Sequence, residues 1–241
     1  MTKKFVLLAS MRTGSNLLNS YLNQYDGIVC HGEAFNPSFV GLEPKYLSLL
    51  GWTRSDVTRR DADPIAFLDL ISGVEAGAVG LHMFPGHDSI ILDALLQDRS
   101  VRKLCLRRSI IHSFVSLQSA RKTDVWRTTN RDFNKHMPVE ERRIVFVPDE
   151  FEKYRQKIDR FWHRVLTSLA DTGQDFFPLW YRELGSVATI NKAVEFIGLP
   201  AGRTQLADKI AKQNTEPLNE LVENWAEMVD YAKRVGLSHQ V

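Results

Sequence analysis

The sequence predicts an α/β protein built on one central, mainly parallel β-sheet flanked by helices. Three observations carry that reading. Apolar runs bounded by turn residues alternate along the chain with stretches of helical apolar spacing. Strands separated by helices call for parallel crossovers and a layered sheet. The chain of 241 residues, 44% hydrophobic, is long enough for one substantial core, so residues 1–241 read as a single domain.

The elements follow in order. Residues 4–9 read as a buried strand that breaks at Ser10, and Leu17, Leu18, Tyr21 and Leu22 place a helix over 14–24. Ile28 to His31 is a short strand ending at His31-Gly32-Glu33. Residues 34–62, with Pro37, Gly41, Pro44 and Gly51, read as irregular. Asp63-Pro64 starts a helix bearing Ile65, Phe67, Leu68 and Ile71, with Pro64 at its first position. Ala78 to Phe84 is a strand broken by Pro85-Gly86, and a short helix covers 88–96. Val101 to Leu106 is a strand, after which Ser109 is a good N-cap.

Residues 122–147 are polar, irregular and charged, and long loops of that kind are usually functional. Asp149 and Glu152 form a capping-box pattern. The helix behind it carries Phe151, Tyr154, Ile158, Phe161, Trp162, Val165, Leu166 and Leu169 on one face until Gly173. That stripe reads as core. Phe176 to Tyr181 is a strand, and Val187 to Ile197 a helix closed by Gly198 and Pro200. A last helix is expected from Leu218 to Val235.

Charge and cysteine use narrow the class. A net charge of +2 creates no whole-protein field for nucleic acid. Basic residues cluster locally at Arg102, Lys103, Arg107, Arg108, Arg121, Lys122, Arg127 and Arg131. Cys30 and Cys105 sit in apolar segments, which suits buried reduced thiols and a cytoplasmic location. The apolar run after Lys3-Lys4 is too short for a signal peptide, and no segment has the length of a membrane span.

In open parallel sheets, ligands sit at the carboxyl ends of the strands. Those ends here carry Arg12 to Asn16, Glu33, His82 with His87, Arg107 with Arg108, and Tyr181. The stretch Ser10-Met11-Arg12-Thr13-Gly14-Ser15-Asn16 joins a strand to a helix N-terminus. There unpaired N–H groups and the helix dipole favour an anion, Gly14 permits close approach and Arg12 adds charge. The arrangement is P-loop-like but lacks two parts of the nucleoside-triphosphate signature. Ala9 stands in place of the first glycine and Ser15 in place of the lysine. The strand at 101–106 leads into Arg107-Arg108 instead of an aspartate for magnesium, so the site reads as one for an anionic nucleotide with no metal.

These residues resemble the sulfotransferase family, whose donor is 3′-phosphoadenosine 5′-phosphosulfate. Arg12 to Leu18 is similar to the family's 5′-phosphosulfate loop, with Arg12 in place of the lysine usual in eukaryotic cytosolic members. Arg108 followed eight positions later by Ser116 is similar to its 3′-phosphate motif, and the resemblance implies that this pair holds that phosphate. Trp180-Tyr181-Arg182-Glu183-Leu184, then Phe196-Ile197-Gly198-Leu199-Pro200, match a third stretch in which the tyrosine neighbours the nucleotide. His31-Gly32-Glu33-Ala34-Phe35-Asn36 and Gly80 to His87 look like the bacterial carbohydrate branch, which includes nodulation-factor and trehalose sulfotransferases. His82 occupies a position where that branch usually has lysine.

The resemblance implies sulfuryl transfer to an acceptor hydroxyl, with the bisphosphate of adenosine as the product. Arg12 and the amides of Gly14, Ser15 and Asn16 would stabilise the leaving 5′-phosphate, with Thr13 also in the donor loop and Tyr181 beside the nucleotide. Glu33, His82 and His87 are the candidates for the base, in that order. A small-molecule or glycan acceptor is expected, with segments 34–62 and 122–147 shaping its pocket and part of a lid, and with Phe35, Trp52, Trp126 and Phe133 as aromatic candidates. Two alternatives stand beside this reading: a P-loop nucleotide kinase, and a nucleotide-binding module without turnover. Trp225 and the last helix can pack on the core or on a second copy, so a homodimer is possible on sequence grounds.

Overall fold

The computed structural model describes residues 2–126, 137–210 and 216–241. Arg127, Arg131 and Phe133 lie outside these residues. The sheet has five strands, β1 (Lys3–Leu8), β2 (Ile28–Cys30), β3 (Ala78–Met83), β4 (Val101–Arg107) and β5 (Phe176–Trp180), in the order β2-β3-β1-β4-β5. Every pairing is parallel. Leu8 of β1 lies opposite Met83 on one side and Cys105 on the other, so β1 and β3 end level while β4 runs on to Arg107. From β1 the chain moves to one side for β2 and β3, and β4 then pairs with β1's other edge. That reversal opens the crevice where ligands bind in such sheets.

The principal helices are α1 (Ser15–Leu22), α2 (Pro44–Leu50), α3 (Val57–Ala62), α4 (Pro64–Ser72), α5 (Ser89–Gln97) and α6 (Ile110–Thr123), followed by α7 (Val139–Arg142), α8 (Pro148–Asp171), α9 (Val187–Ile197), α10 (Leu218–Leu221) and α11 (Trp225–Arg234). Alternate residues of each strand serve the two faces. On one face Val6, Leu8, Leu81, Met83 and Cys105 pack with Ile91 and Leu95 of α5 and Phe161 and Val165 of α8. On the other, Phe5, Leu7, Leu104 and Leu106 pack with Leu18 and Leu22 of α1 and Ile190 and Val194 of α9. A third cluster joins Phe114 of α6, Phe146, Phe151 of α8 and Met228 of α11 beside the sheet.

Several local predictions hold for plain reasons. Asp63 caps α4 by accepting the Ala66 N–H at 3.0 Å, with Pro64 in the first turn. Ser109 caps α6 through the His112 N–H at 3.2 Å, and Gly198 closes α9 at φ 100. Both cysteines are buried and free. Among the described residues no helix is long and apolar enough to cross a membrane.

Four expectations need correction. Segment 34–62 is not wholly irregular, because it holds α2 and α3, and segment 122–147 is not either, because it holds α7. The capping box at Asp149 and Glu152 is not formed. Helix α8 starts at Pro148 with no side-chain cap, and Glu152 binds Arg155 at 2.7 Å, Gln156 at 3.0 Å and the Tyr231 hydroxyl at 3.1 Å. The expected helix over 218–235 is two helices. Val222 is extended and bridges Ile144, and Asn224 exchanges hydrogen bonds with the Phe146 backbone at 2.7 and 2.9 Å.

Candidate active site

The loop after β1 is shaped from within. The buried Thr13 hydroxyl donates to the Ser10 carbonyl at 2.7 Å, so that side chain braces the turn. Arg12 and Gly14 both have left-handed backbones, φ 65 and φ 90. For a residue with a Cβ such a conformation costs on the order of 1–3 kcal/mol. At Gly14 the demand is also steric, because a Cβ there would lie 2.6 Å from Cδ2 of Tyr181 and 2.9 Å from Cδ1 of Leu184. Gly14 is the N-cap of α1 and supplies no side-chain cap. The N–H groups of Ser15, Asn16 and Leu17 therefore sit in a first turn whose donors the helix itself cannot satisfy.

Residues from β4, α6 and β5 close on this loop. Arg108, just past β4, donates from Nη1 to the Arg12 carbonyl at 2.8 Å, and its guanidinium lies 4.1 Å over the Tyr181 ring. Tyr181 opens a short turn after β5 that the Glu183 carboxylate secures by accepting the Trp180 N–H at 2.9 Å. Ser116, about two turns into α6, accepts from Arg12 Nε at 3.1 Å. Arg12 Nη1 also donates to the Trp126 carbonyl at 2.6 Å. Arg107 points away, as alternation along a strand requires, and lies 4.5 Å over the Trp162 ring of α8.

The electrostatics favour an anion. Burial pushes Arg12 down to about 10, and the Arg108 charge adds to the effect while Tyr181 opposes it. Burial also lowers Arg108, against the phenols of Tyr181 and Tyr154. Two partly desolvated guanidiniums beside open helix-end amides form a ready phosphate or sulfate cradle.

The second group lies past β2 and β3. The His31 N–H donates to Gly80 at 2.7 Å and the His82 N–H to Gly32 at 3.0 Å, which extends the strand pairing to Glu33. Gly41 packs backbone to backbone there, since its Cβ would lie 2.4 Å from the Glu33 carbonyl oxygen. The Glu33 Oε2 accepts from Asn36 Nδ2 at 2.7 Å and lies 3.6 Å from His87 Nε2. His87 Nδ1 faces the Phe84 N–H at 3.3 Å, so the neutral ring carries its proton on Nε2, toward Glu33. Burial alone would raise the Glu33 carboxyl, but His87 and Asn36, helped by His82, hold it below the ordinary glutamate value.

His82 is fully enclosed and both of its ring nitrogens lack a hydrogen-bond partner among the described residues. It stacks on Phe84, whose ring stacks in turn on His87, at 5.8 and 5.0 Å. Burial pushes it down to about 4, against the pull of Glu33. His82 is thus a neutral, walled-in imidazole and a weaker base than its type suggests. His31 is also core, with Nε2 3.1 Å from the Ile71 carbonyl and a ring edge-on to Tyr46.

The fold therefore brings Arg12, Gly14, Ser15, Asn16, Arg108, Ser116 and Tyr181 together, and sets Glu33 on the same sheet edge. Two strand spacings separate β2 from β1, roughly 10 Å. The Thr13 hydroxyl is turned into the loop. Phe35 and Trp52 are buried, with their rings 5.5 and 4.6 Å from Phe67, so they build core and offer no open face to a sugar. Among the aromatic candidates Trp126 is exposed. The sequence reading missed the parts played by Asn36, Arg60 and the Trp126 carbonyl. No group of acidic, histidine or cysteine residues placed to hold a metal occurs among the described residues.

No family model matches the chain. Its sequence is similar to Nodulation protein H of Rhizobium tropici, 24% identical over 234 residues that cover 93% of this chain and 87% of that protein. Among solved structures it is similar to a sulfotransferase from Alicyclobacillus acidocaldarius, with a TM-score of 0.49, 20% identity, and coverage of 99% of this chain and 97% of that one.

Proposed function

We propose that the protein is a sulfotransferase that moves a sulfuryl group from 3′-phosphoadenosine 5′-phosphosulfate to a hydroxyl of a carbohydrate or glycolipid-type acceptor. The observation that carries the reading is the convergence of Arg12, Arg108 and Tyr181 from three strand ends, with Ser116 of α6, at one helix N-terminus. Three of the stretches that resemble the family, those at Arg12, at Arg108 to Ser116 and at Tyr181, supply this cluster. The likeness to Nodulation protein H over nearly the full chain agrees with the carbohydrate branch.

In this reading the loop after β1 takes the 5′-phosphosulfate, and Arg108 with Ser116 takes the 3′-phosphate. The acceptor oxygen bonds to sulfur as the bond from sulfur to the phosphate oxygen breaks. The acceptor proton passes to the Glu33 carboxylate, and the electron pair leaves with adenosine 3′,5′-bisphosphate. Arg12 and the first amides of α1 stabilise the charge that develops on the leaving phosphate. Glu33 is preferred over His82 as base because His82 is enclosed while Glu33 is one-fifth exposed.

Calorimetry tests the donor. Adenosine 3′,5′-bisphosphate should bind in EDTA, whereas ATP with magnesium should not compete. The reverse result would make the protein a nucleotide phosphotransferase. Transfer of labelled sulfuryl donor to a panel of carbohydrate and lipid hydroxyls then tests turnover, and bisphosphate binding without any transfer would leave only a nucleotide-binding module.

A further inference from the structure

We propose that Arg60, acting through Asn36, is a positioning residue for the Glu33 carboxylate. The proposal rests on the reading of Glu33 as the base. Arg60 belongs to α3, which the sequence did not reveal, and its side chain is only 2% exposed. Its Nη1 donates to three carbonyls of the turn that starts at Glu33: Ala34 at 3.0 Å, Asn36 at 2.8 Å and Phe39 at 3.1 Å. Nε and Nη2 both reach Asp61 Oδ1 at 2.8 Å, at the protein surface. A buried guanidinium is costly unless its donors are satisfied. Here Nε and Nη2 are satisfied by Asp61, and Nη1 is given wholly to one backbone turn, the turn that carries Glu33.

Asn36 passes the constraint on. Its N–H donates to the Glu33 carbonyl at 3.0 Å, which closes the turn. Its Oδ1 accepts the Ser38 N–H at 2.9 Å, which decides the orientation of the amide. Nδ2 is thereby aimed at Glu33 Oε2, 2.7 Å away. His87 faces the same oxygen at 3.6 Å. Both contacts fall on Oε2, and no hydrogen bond to Oε1 is present among the described residues, so Oε1 is the oxygen presented to an acceptor. The charged or titratable groups around Glu33 are His82 of β3, His87 of the loop behind it, and Arg60 with Asp61 of α3.

The test compares Asn36→Ala, Arg60→Lys and Glu33→Gln in the full chain. Bisphosphate affinity by calorimetry, the split between kcat and KM, and the titration of the Glu33 carboxyl by carbon NMR are measured for each. Lysine keeps the charge of Arg60 but cannot reach three carbonyls and Asp61 together. Asn36→Ala and Arg60→Lys should keep bisphosphate affinity within about twofold and lower kcat about tenfold, the scale of one charge-assisted hydrogen bond. In both, Glu33 should titrate at higher pH than in the parent. Should Arg60→Lys fail to fold, Asn36→Ala carries the test alone. An unchanged kcat and Glu33 titration would overturn the proposal, as would a loss arising only from bisphosphate affinity. Full turnover by Glu33→Gln would instead remove Glu33 as the base, and the carboxyl titration in Asn36→Ala would still read the positioning.

Discussion

Arg108 Nη1 donates to the carbonyl of Arg12 at 2.8 Å and ties the end of β4 to the loop after β1 across 96 residues of chain. The contact joins the two halves of the proposed donor site, and Ser116 reinforces it by accepting from Arg12. A ligand that engages one arginine therefore meets the other already in place.

Replacing Arg108 by alanine should weaken adenosine 3′,5′-bisphosphate binding about 10- to 100-fold, the scale of a charge-assisted contact. Adenosine 5′-phosphate should lose much less. Calorimetry with both ligands decides, and equal losses would remove the 3′-phosphate assignment. Arg107→Ala is the matching control, because Arg107 stacks on Trp162, and it should leave both affinities unchanged.

Gly14→Ala should damage the fold and the site together. The new Cβ would meet Tyr181 at 2.6 Å on a backbone at φ 90. Strain of this kind costs about 1–3 kcal/mol, and a chain of this size loses roughly 2–4 °C of Tm per kcal/mol. Thermal unfolding and bisphosphate calorimetry should both register the loss. A variant with parental Tm and affinity would show that Tyr181 does not need the space.

Glu33→Gln should lower turnover by about 10²–10⁴, the range for a positioned base. In the parent, Glu33 is held below the ordinary glutamate value and so is ionised throughout the neutral range. Activity should then be lost only as pH falls through that lowered value, on the acid side of an ordinary glutamate. A pH profile of kcat/KM measured on protein that is still folded checks this. An acid limb near neutrality would point to a histidine.

Stability should fall earlier than activity chemistry requires. His31 and His82 are both pushed to about 4 by burial. The unfolded chain binds their protons near 6.5 and the folded chain does not, so stability is full above that value and declines as pH falls toward 4. The cost at the acid end is on the order of 3 kcal/mol for each histidine. Urea midpoints from pH 7 to pH 4 measure the decline, and His82→Met should flatten part of it. An identical slope in that variant would contradict the burial account of His82.

The parts of the site that were legible in the sequence are local in origin. The strand, loop and helix of residues 3–22 are contiguous, so their apolar pattern and Gly14 announce the anion cradle directly. Ser109 capping α6 is likewise local, and it makes the spacing from Arg108 to Ser116 meaningful. Parallel strands joined by helices compelled the layered sheet, and the sheet compelled the shared edge. What escaped notice was non-local. The break at Val222 to Asn224 depends on Ile144 and Phe146, 78 residues away from each partner. The capping box fails for a partly local reason: the helix already starts at Pro148, so Asp149 lies inside it, and Glu152 binds Arg155 on its own helix and Tyr231 of α11.

By itself, then, the amino-acid sequence determined the alternation of strands and helices and the strand, loop and helix at residues 3–22, since each follows from periodicity or steric rules within one element; the expectation of Arg108 over Arg107 came from its spacing to Ser116. Tertiary structure alone decided how the base candidates divide. Glu33 is braced by Asn36 and Arg60 at the sheet edge, while His82 is sealed beneath it. Burial and hydrogen-bond supply set the proton affinity of a side chain, and both are properties of what the fold brings near it.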